Sequence, residues 1–243
     1  MSAIPEETAC DKFIKILRDP KTSCGEKYRS IFELKSIGTE ESVNALINNF
    51  DQLDDSDLLK HEVTYALGQM DTKFAHIIKP FLIKVLEDEK EYPVVRHESG
   101  EGLSNFAEAN DKELLPIFEK FALSTVREVS GTCSIAAEKI KTFNVLAERY
   151  GKKYNQTREP AAPFTEAELN EKECVLDQKT LNQKIEAFVL SEKTILFDKY
   201  RALYLLRDRA DAESILLLAK FLDKKFWDKT NNLFRHEVCF VLG

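Results

Sequence analysis

Residues 40–69 read EESVNALINNFDQLDDSDLLKHEVTYALGQ, and this stretch decides the fold. Val43, Leu46, Ile47 and Phe50 recur at the i, i+3, i+4 spacing of a helix that buries one face. Leu58, Leu59, Val63, Ala66 and Leu67 repeat that spacing, and Gly68 closes the run. The spacing predicts helices over 40–53 and 56–69, joined so briefly that they must fold back as an antiparallel hairpin. Working outward, the same pattern pairs 8–18 with 26–37, 73–88 with 92–107, and 111–123 with 125–149. The period is about 35 residues, and self-similarity at that period marks an α-solenoid. A lone hairpin cannot bury its apolar face, so its neighbours must stack on it. HEAT-type repeats fit this length, and nothing matches the tetratricopeptide or ankyrin consensus. The expected fold class is therefore all-α, an α-solenoid of HEAT-type helical hairpins.

Composition agrees. The 243 residues include only 8 Gly and 7 Pro, too few for the turns of a many-stranded β sandwich or barrel. A hydrophobic content of 43% suffices for a real core and argues against wholesale disorder. No apolar run approaches the ~20 residues that cross a bilayer, and the acidic start does not read as a signal peptide. A net charge of -7 and a pI near 5.3 disfavour nucleic acid as a partner. Such a balance suits a cationic partner instead. The five cysteines are odd in number and lack C-x-x-C spacing, which reads as reduced thiols in a cytoplasmic protein. No membrane partner is expected.

Repeats also organise the chain at larger scale. Residues 1–149 form an N-terminal unit of four hairpins, 150–178 read as a polar linker, and 179–243 read as a partial C-terminal unit of two hairpins. The second half echoes the first. Lys27-Tyr28-Arg29 returns as Lys199-Tyr200-Arg201 at an offset of 172, and Leu59-Lys60-His61-Glu62-Val63 returns as Phe234-Arg235-His236-Glu237-Val238 at an offset of 175. The expected second half is incomplete, with Gly243 standing in the place of Gly68.

Chemistry concentrates in one slot of the repeat. Three of the four histidines are preceded by a basic residue and followed by glutamate: Lys60-His61-Glu62, Arg96-His97-Glu98 and Arg235-His236-Glu237. Each lies early in the second helix of its hairpin, with Leu six residues beyond the histidine. One such triplet is most simply a solvated helix face, but solenoid packing does not require three in register. No second histidine follows at i+4, so the H-E-x-x-H zinc-protease pattern is absent. His61-Glu62 and His97-Glu98 are 36 residues apart on successive second helices, which lie side by side at ~8–10 Å. They can face one space. Two imidazoles and one carboxylate make a facial set suited to non-haem iron, which leaves the other glutamate for a substrate or supporting role. His76 fits neither slot nor pattern and reads as a structural or surface histidine. Phe81, Phe106, Phe118, Phe121, Phe221 and Phe226 fall at helical spacing and read as core.

Repeated His-Glu in consecutive hairpins, flanked as in VVRHESGEGL and LFRHEVCFVLG, resembles the deoxyhypusine hydroxylase family over essentially the whole chain. The resemblance implies a non-haem di-iron monooxygenase of two facing four-hairpin halves. Its substrates would be dioxygen and the deoxyhypusine side chain of a eukaryotic translation initiation factor, which it hydroxylates to hypusine. Carried over, it makes His61, His97 and Glu98 ligands of one iron and His236 a ligand of the other. Glu62 and Glu237 would lie beside the metals and hold the cationic side chain. The family has four His-Glu pairs, and the fourth would fall near about position 272. If 243 residues are the whole molecule, the expectation is one iron at most and weak or absent hydroxylase activity. The alternatives are a catalytically incomplete fragment and a HEAT-repeat binding scaffold without catalysis.

Overall fold

In the computed structural model, the described residues are 8–53, 56–150, 158–170 and 180–243. Their regular structure is all helical, without a strand among them. Helix starts are written in the sequence. Thr8, Ser23 and Thr39 cap α1 (Ala9–Arg18), α2 (Cys24–Ile37) and α3 (Glu40–Asn49). Each accepts a hydrogen bond from the third helical residue, whose side chain reaches back to the cap, so two otherwise unpaired N–H groups are satisfied together. Gly38 ends α2 with a left-handed φ of 62°, which costs a side-chain-bearing residue strain. The predicted helix 40–53 is tighter at its end: α3 stops at Asn49, and Phe50–Leu53 form one 3-10 turn that buries Phe50 and Leu53.

Packing divides the chain into two compact units, Met1–Ala107 and Glu108–Gly243. In the first, α1 pairs with α2, α3 with α4 (Asp57–Gly68), and α5 (Ala75–Glu87) with α6 (Pro93–Ser104), as the repeat predicts. The second helices α2, α4 and α6 lie side by side. Ile31, Leu34, Leu46, Val63, Leu67, Ile78, Leu82, Val95 and Leu103 fill the core between the two layers.

The second unit holds α7 (Leu114–Phe121), α8 (Arg127–Tyr150), α9 (Glu166–Asn170), α10 (Leu181–Leu190), α11 (Leu196–Arg209), α12 (Ala212–Lys220) and α13 (Asn232–Leu242). Repeat spacing groups the hairpin of α7 and α8 with the first three, whereas its packing groups it with the later helices. Helix α8 lies against α11 and α13, and a Cβ on Gly131 would come within 2.8 Å of Leu233 Cδ2. Tyr200, Phe221 and Phe234 meet edge to face at the centre of this core, with centroids 5.9 to 6.1 Å apart.

Within the stretch expected to link the halves, 158–170 is packed rather than loose. Ala161, Ala162, Phe164 and Leu169 are buried. The Arg201 guanidinium of α11 holds them: Nε donates to Ala162 O at 2.9 Å, and a terminal nitrogen pairs with Glu168 Oε1 at 2.8 Å. It also sits 4.0 Å above the Phe164 ring. The remainder of that stretch, 151–157 and 171–178, lies outside the described residues, as does Cys174; the other four cysteines are not in disulfides among the described residues. Of the aromatics expected in the core, Phe106, Phe118, Phe121 and Phe221 are buried, while Phe81 and Phe226 are half-buried. His76 is exposed and packs its Nδ1 against Lys73 O. Among the described residues, no helix is long and apolar enough to cross a membrane.

Candidate metal centre

Helices α4 and α6 come unusually close, and two glycines allow it. A Cβ built on Gly68 would lie 2.5 Å from Gly102 Cα, and one on Gly102 would lie 3.1 Å from Gly68 Cα. Real Cβ atoms essentially never show the first separation and rarely the second, so backbone rests on backbone. Asn105 reinforces the contact by donating from its side-chain amide to Gly68 O at 3.2 Å. One to two turns earlier along the same pair of helices, the close approach sets His61 opposite His97, with ring centroids 6.4 Å apart.

The residue before each His-Glu pair fixes the helix start. Lys60 is buried, pairs with Glu91 at 2.5 Å and lies 4.5 Å over the Phe50 ring. Arg96, also buried, donates from Nε to Leu86 O at 2.9 Å. Arg235 donates to Thr230 O and stacks 4.8 Å over Trp227. The basic residue therefore turns inward, toward the loop or helix behind it, and the following histidine takes its direction from that anchor.

Two imidazoles and a carboxylate then converge. His61 Nε2 lies 3.1 Å from Glu98 Oε2, and His97 Nε2 lies 3.8 Å from the same oxygen. Their ligand atoms all fall within 4.8 Å of one another. His61 Nδ1 donates to Glu62 Oε1 at 3.2 Å, which orients the ring, and Thr64 Oγ1 donates to His61 O at 2.8 Å. Tyr28 of α2 has its hydroxyl pKa raised, first by burial and then by the charge of Glu62, although the residue remains 41% exposed.

The local field is strongly negative. Burial alone favours neutral imidazole at His61, but hydrogen bonds and charge from Glu62 and Glu98 outweigh it and raise its pKa to about 9. Carboxylates that stabilise an imidazolium stabilise a divalent cation by the same field. With both Nε2 atoms and one Glu98 oxygen aimed at one space, the donor set fits a metal that takes nitrogen and oxygen and keeps open positions.

The other predicted pair stands in the second unit, early in α13. His236 is exposed, whereas Glu237 is buried and accepts a hydrogen bond from Tyr204 Oη at 2.7 Å. Sequence reading singled out the three His-Glu pairs but not Glu91, the partner of Lys60. It missed Gly102, the inward turn of the basic residues, and the tyrosines, although GEG in the middle of a helix was a visible signal of close packing.

No family model matches the chain. Individual relatives do. Deoxyhypusine hydroxylase of Drosophila melanogaster is 34% identical over 228 residues, covering 94% of this chain and 67% of the relative. The Homo sapiens protein of that name is 32% identical over 237 residues, or 98% of this chain and 70% of the relative. The solved structure of human deoxyhypusine hydroxylase in complex with glycerol superposes with a TM-score of 0.73, covering 96% of this chain and 72% of that one. The chain belongs to the deoxyhypusine hydroxylase family. Deoxyhypusine hydroxylase from Candida albicans, 32% identical over 242 residues, extends the likeness to fungi. Deoxyhypusine hydroxylases are oxidoreductases, and the His61-His97-Glu98 cluster gives this member a place where a metal can sit.

Proposed function

We propose that this chain is a deoxyhypusine hydroxylase acting on the deoxyhypusine side chain of a translation initiation factor, with dioxygen as the oxidant and iron as the metal. The single observation that carries the reading is the convergence of His61 Nε2, His97 Nε2 and Glu98 Oε2 within hydrogen-bonding and near-contact range. Family membership supplies the reaction class.

The family resemblance assigns the residue roles, and the chemistry of each side chain supports them. His61, His97 and Glu98 hold one iron, and His236 belongs to the second. Iron there supplies the binding and activation of dioxygen that organic side chains cannot provide. To ligate, His61 gives up its Nε2 proton, and its remaining Nδ1–H stays on Glu62 to keep the ring oriented. Glu62 and Glu237 are the carboxylates offered to the ammonium groups of the spermidine-derived side chain, since a cation leaving water needs a carboxylate partner. His97 and Glu98 are almost fully buried, which keeps bulk water from the reacting centre. The protein's net charge of -7 favours approach of a cationic loop.

Metal analysis beside oxygen consumption on deoxyhypusine-bearing protein tests the reading. Iron should copurify or load, and His97→Ala should abolish binding at this centre while the helical content stays unchanged. Equal iron in the variant and the parent would overturn the ligand assignment. Absence of stoichiometric metal, with behaviour indifferent to chelators, would make the protein a non-catalytic HEAT-repeat scaffold.

A further inference from the structure

Three helices of the second unit, α8, α11 and α13, lie against one another, and a cavity of about 500 Å³ opens at their starts. Arg127 is the first residue of α8, Lys199 the fourth of α11 and Asn231 the cap of α13, and all three line it. Each helix start carries a partial positive charge on its unpaired N–H groups. Arg127, Lys199 and Lys229 add three full positive charges to the wall, against one negative charge from Asp228. Glu128 and Asp198, acidic residues in the first turns of α8 and α11, are not part of that wall among the described residues.

Two buried side chains in the wall lack the partners that burial calls for. Lys199 is 9% exposed, and its Nζ donates to a backbone carbonyl, Lys229 O, at 2.9 Å. No carboxylate pairs with it among the described residues; Glu192 acts on it through charge alone. Burial holds its pKa below the ordinary lysine value, against the pull of Glu192. One neutral acceptor leaves two N–H groups and a buried charge uncompensated. Arg201, two residues on and equally buried, shows the contrast, because it holds the Glu168 carboxylate. Thr194, also 9% exposed, has a buried hydroxyl with no hydrogen-bond partner among the described residues. Buried hydroxyls are ordinarily bonded, so an orphan in the wall beside an underpaired ammonium marks a place where an anion belongs.

The wall also selects the anion. It offers a guanidinium, two ammonium groups and a hydroxyl, with a formal surplus of two positive charges. A carboxylate neutralises one of them, whereas a phosphate dianion neutralises both and accepts from several donors at once. We propose that this cavity is a phosphate-binding site in which Lys199, Arg127 and the Thr194 hydroxyl hold the anion and Lys229 adds charge at the rim. None of these residues belongs to the metal or substrate set named above, so the site stands independently of the hydroxylase reading. The cavity exceeds the size of a bare phosphate ion, so free phosphate and phosphate carried on a small molecule are tested separately.

Isothermal titration calorimetry on the full chain, at constant ionic strength, uses inorganic phosphate in one arm and phosphoserine in the other. One phosphate group should bind per chain, and the tighter of the two arms identifies its source. Lys199→Met should weaken binding at least about tenfold, as expected for loss of a charged hydrogen-bond partner. Thr194→Val should weaken it about three- to tenfold. Arg127→Ala alters an exposed side chain and should weaken it to a similar extent with an unchanged thermal midpoint, so it reads the site even if Lys199→Met disturbs folding. His97→Ala should leave the affinity unchanged. Absence of saturable binding in both arms would overturn the proposal, as would full affinity in Arg127→Ala. Acetate binding as tightly as phosphate would overturn the choice of anion. Loss of binding in His97→Ala would place the phosphate at the metal centre instead.

Discussion

At the scale of single residues, the site was legible because helical geometry is rigid. Three basic-His-Glu triplets at one place in the repeat had to point the same way relative to their helices, so 36 residues of separation translated into two imidazoles across one gap. The roles of neighbouring side chains were not legible, because each depends on a partner far away in sequence. Lys60 finds Glu91, 31 residues on, and Tyr204 finds Glu237, 33 residues on. The charge on His61 belongs to the same class, since two glutamates set it. Its pKa of about 9 when folded exceeds the ordinary 6.5. A raised pKa contributes stability that is fully present below about 6.5 and is lost as pH rises through about 9. Metal-free protein should therefore lose on the order of 1–3 kcal/mol between pH 6.5 and pH 9.5 in urea denaturation, and His61→Gln should flatten that slope. A parent and variant with parallel pH profiles would show that His61 is not held as an imidazolium.

At the scale of helices, hairpin order and most boundaries followed from apolar period and caps, since both are local. Helix α2 starts and stops at residues that the sequence displays, Ser23 and Gly38. The separation of α4 and α6 was not displayed. It depends on Gly68 and Gly102 meeting, and a glycine within a helix says only that some close approach exists. Gly68→Ala tests the contact directly. Helix propensity favours alanine by up to about 1 kcal/mol, yet the new Cβ would sit 2.5 Å from Gly102 Cα. The helices must move apart, at a net cost of about 1–3 kcal/mol. Thermal unfolding should show the loss, and metal affinity at His61, His97 and Glu98 should fall with it. A more stable variant with unchanged metal affinity would mean that the glycines do not set the spacing.

At the scale of the whole molecule, repeat arithmetic captured the fold class, but it could not see what 158–170 does. That segment lacks apolar periodicity, and nothing in its local sequence names Arg201 as its partner. Its packing is tertiary: a buried guanidinium collects a carboxylate, a backbone carbonyl and a ring. Removing the carboxylate leaves the cation buried with reduced compensation. Glu168→Ala should therefore destabilise the second unit by about 3 kcal/mol, softened by the carbonyls that remain. Denaturation followed through Trp227, the one tryptophan and a member of that unit, reads the effect, and metal binding by His61, His97 and Glu98 should not change. An unaltered Trp227 transition would show that the ion pair does not hold the segment in place.

Lys60 gives the site an internal reporter. Its side chain is 6% exposed, with the ammonium clamped between the Glu91 carboxylate and the Phe50 ring, one residue ahead of His61. Amine acylation needs an uncharged, accessible nitrogen, so a brief pulse of acetylating reagent should mark exposed lysines such as Lys73 and pass over Lys60. As soon as the first turn of α4 loosens, that nitrogen enters solvent and the peptide containing His61 gains an acetyl mass. Peptide mass spectrometry can then follow the integrity of the centre without adding a probe, and early labelling of Lys60 in folded protein would show that the clamp is open.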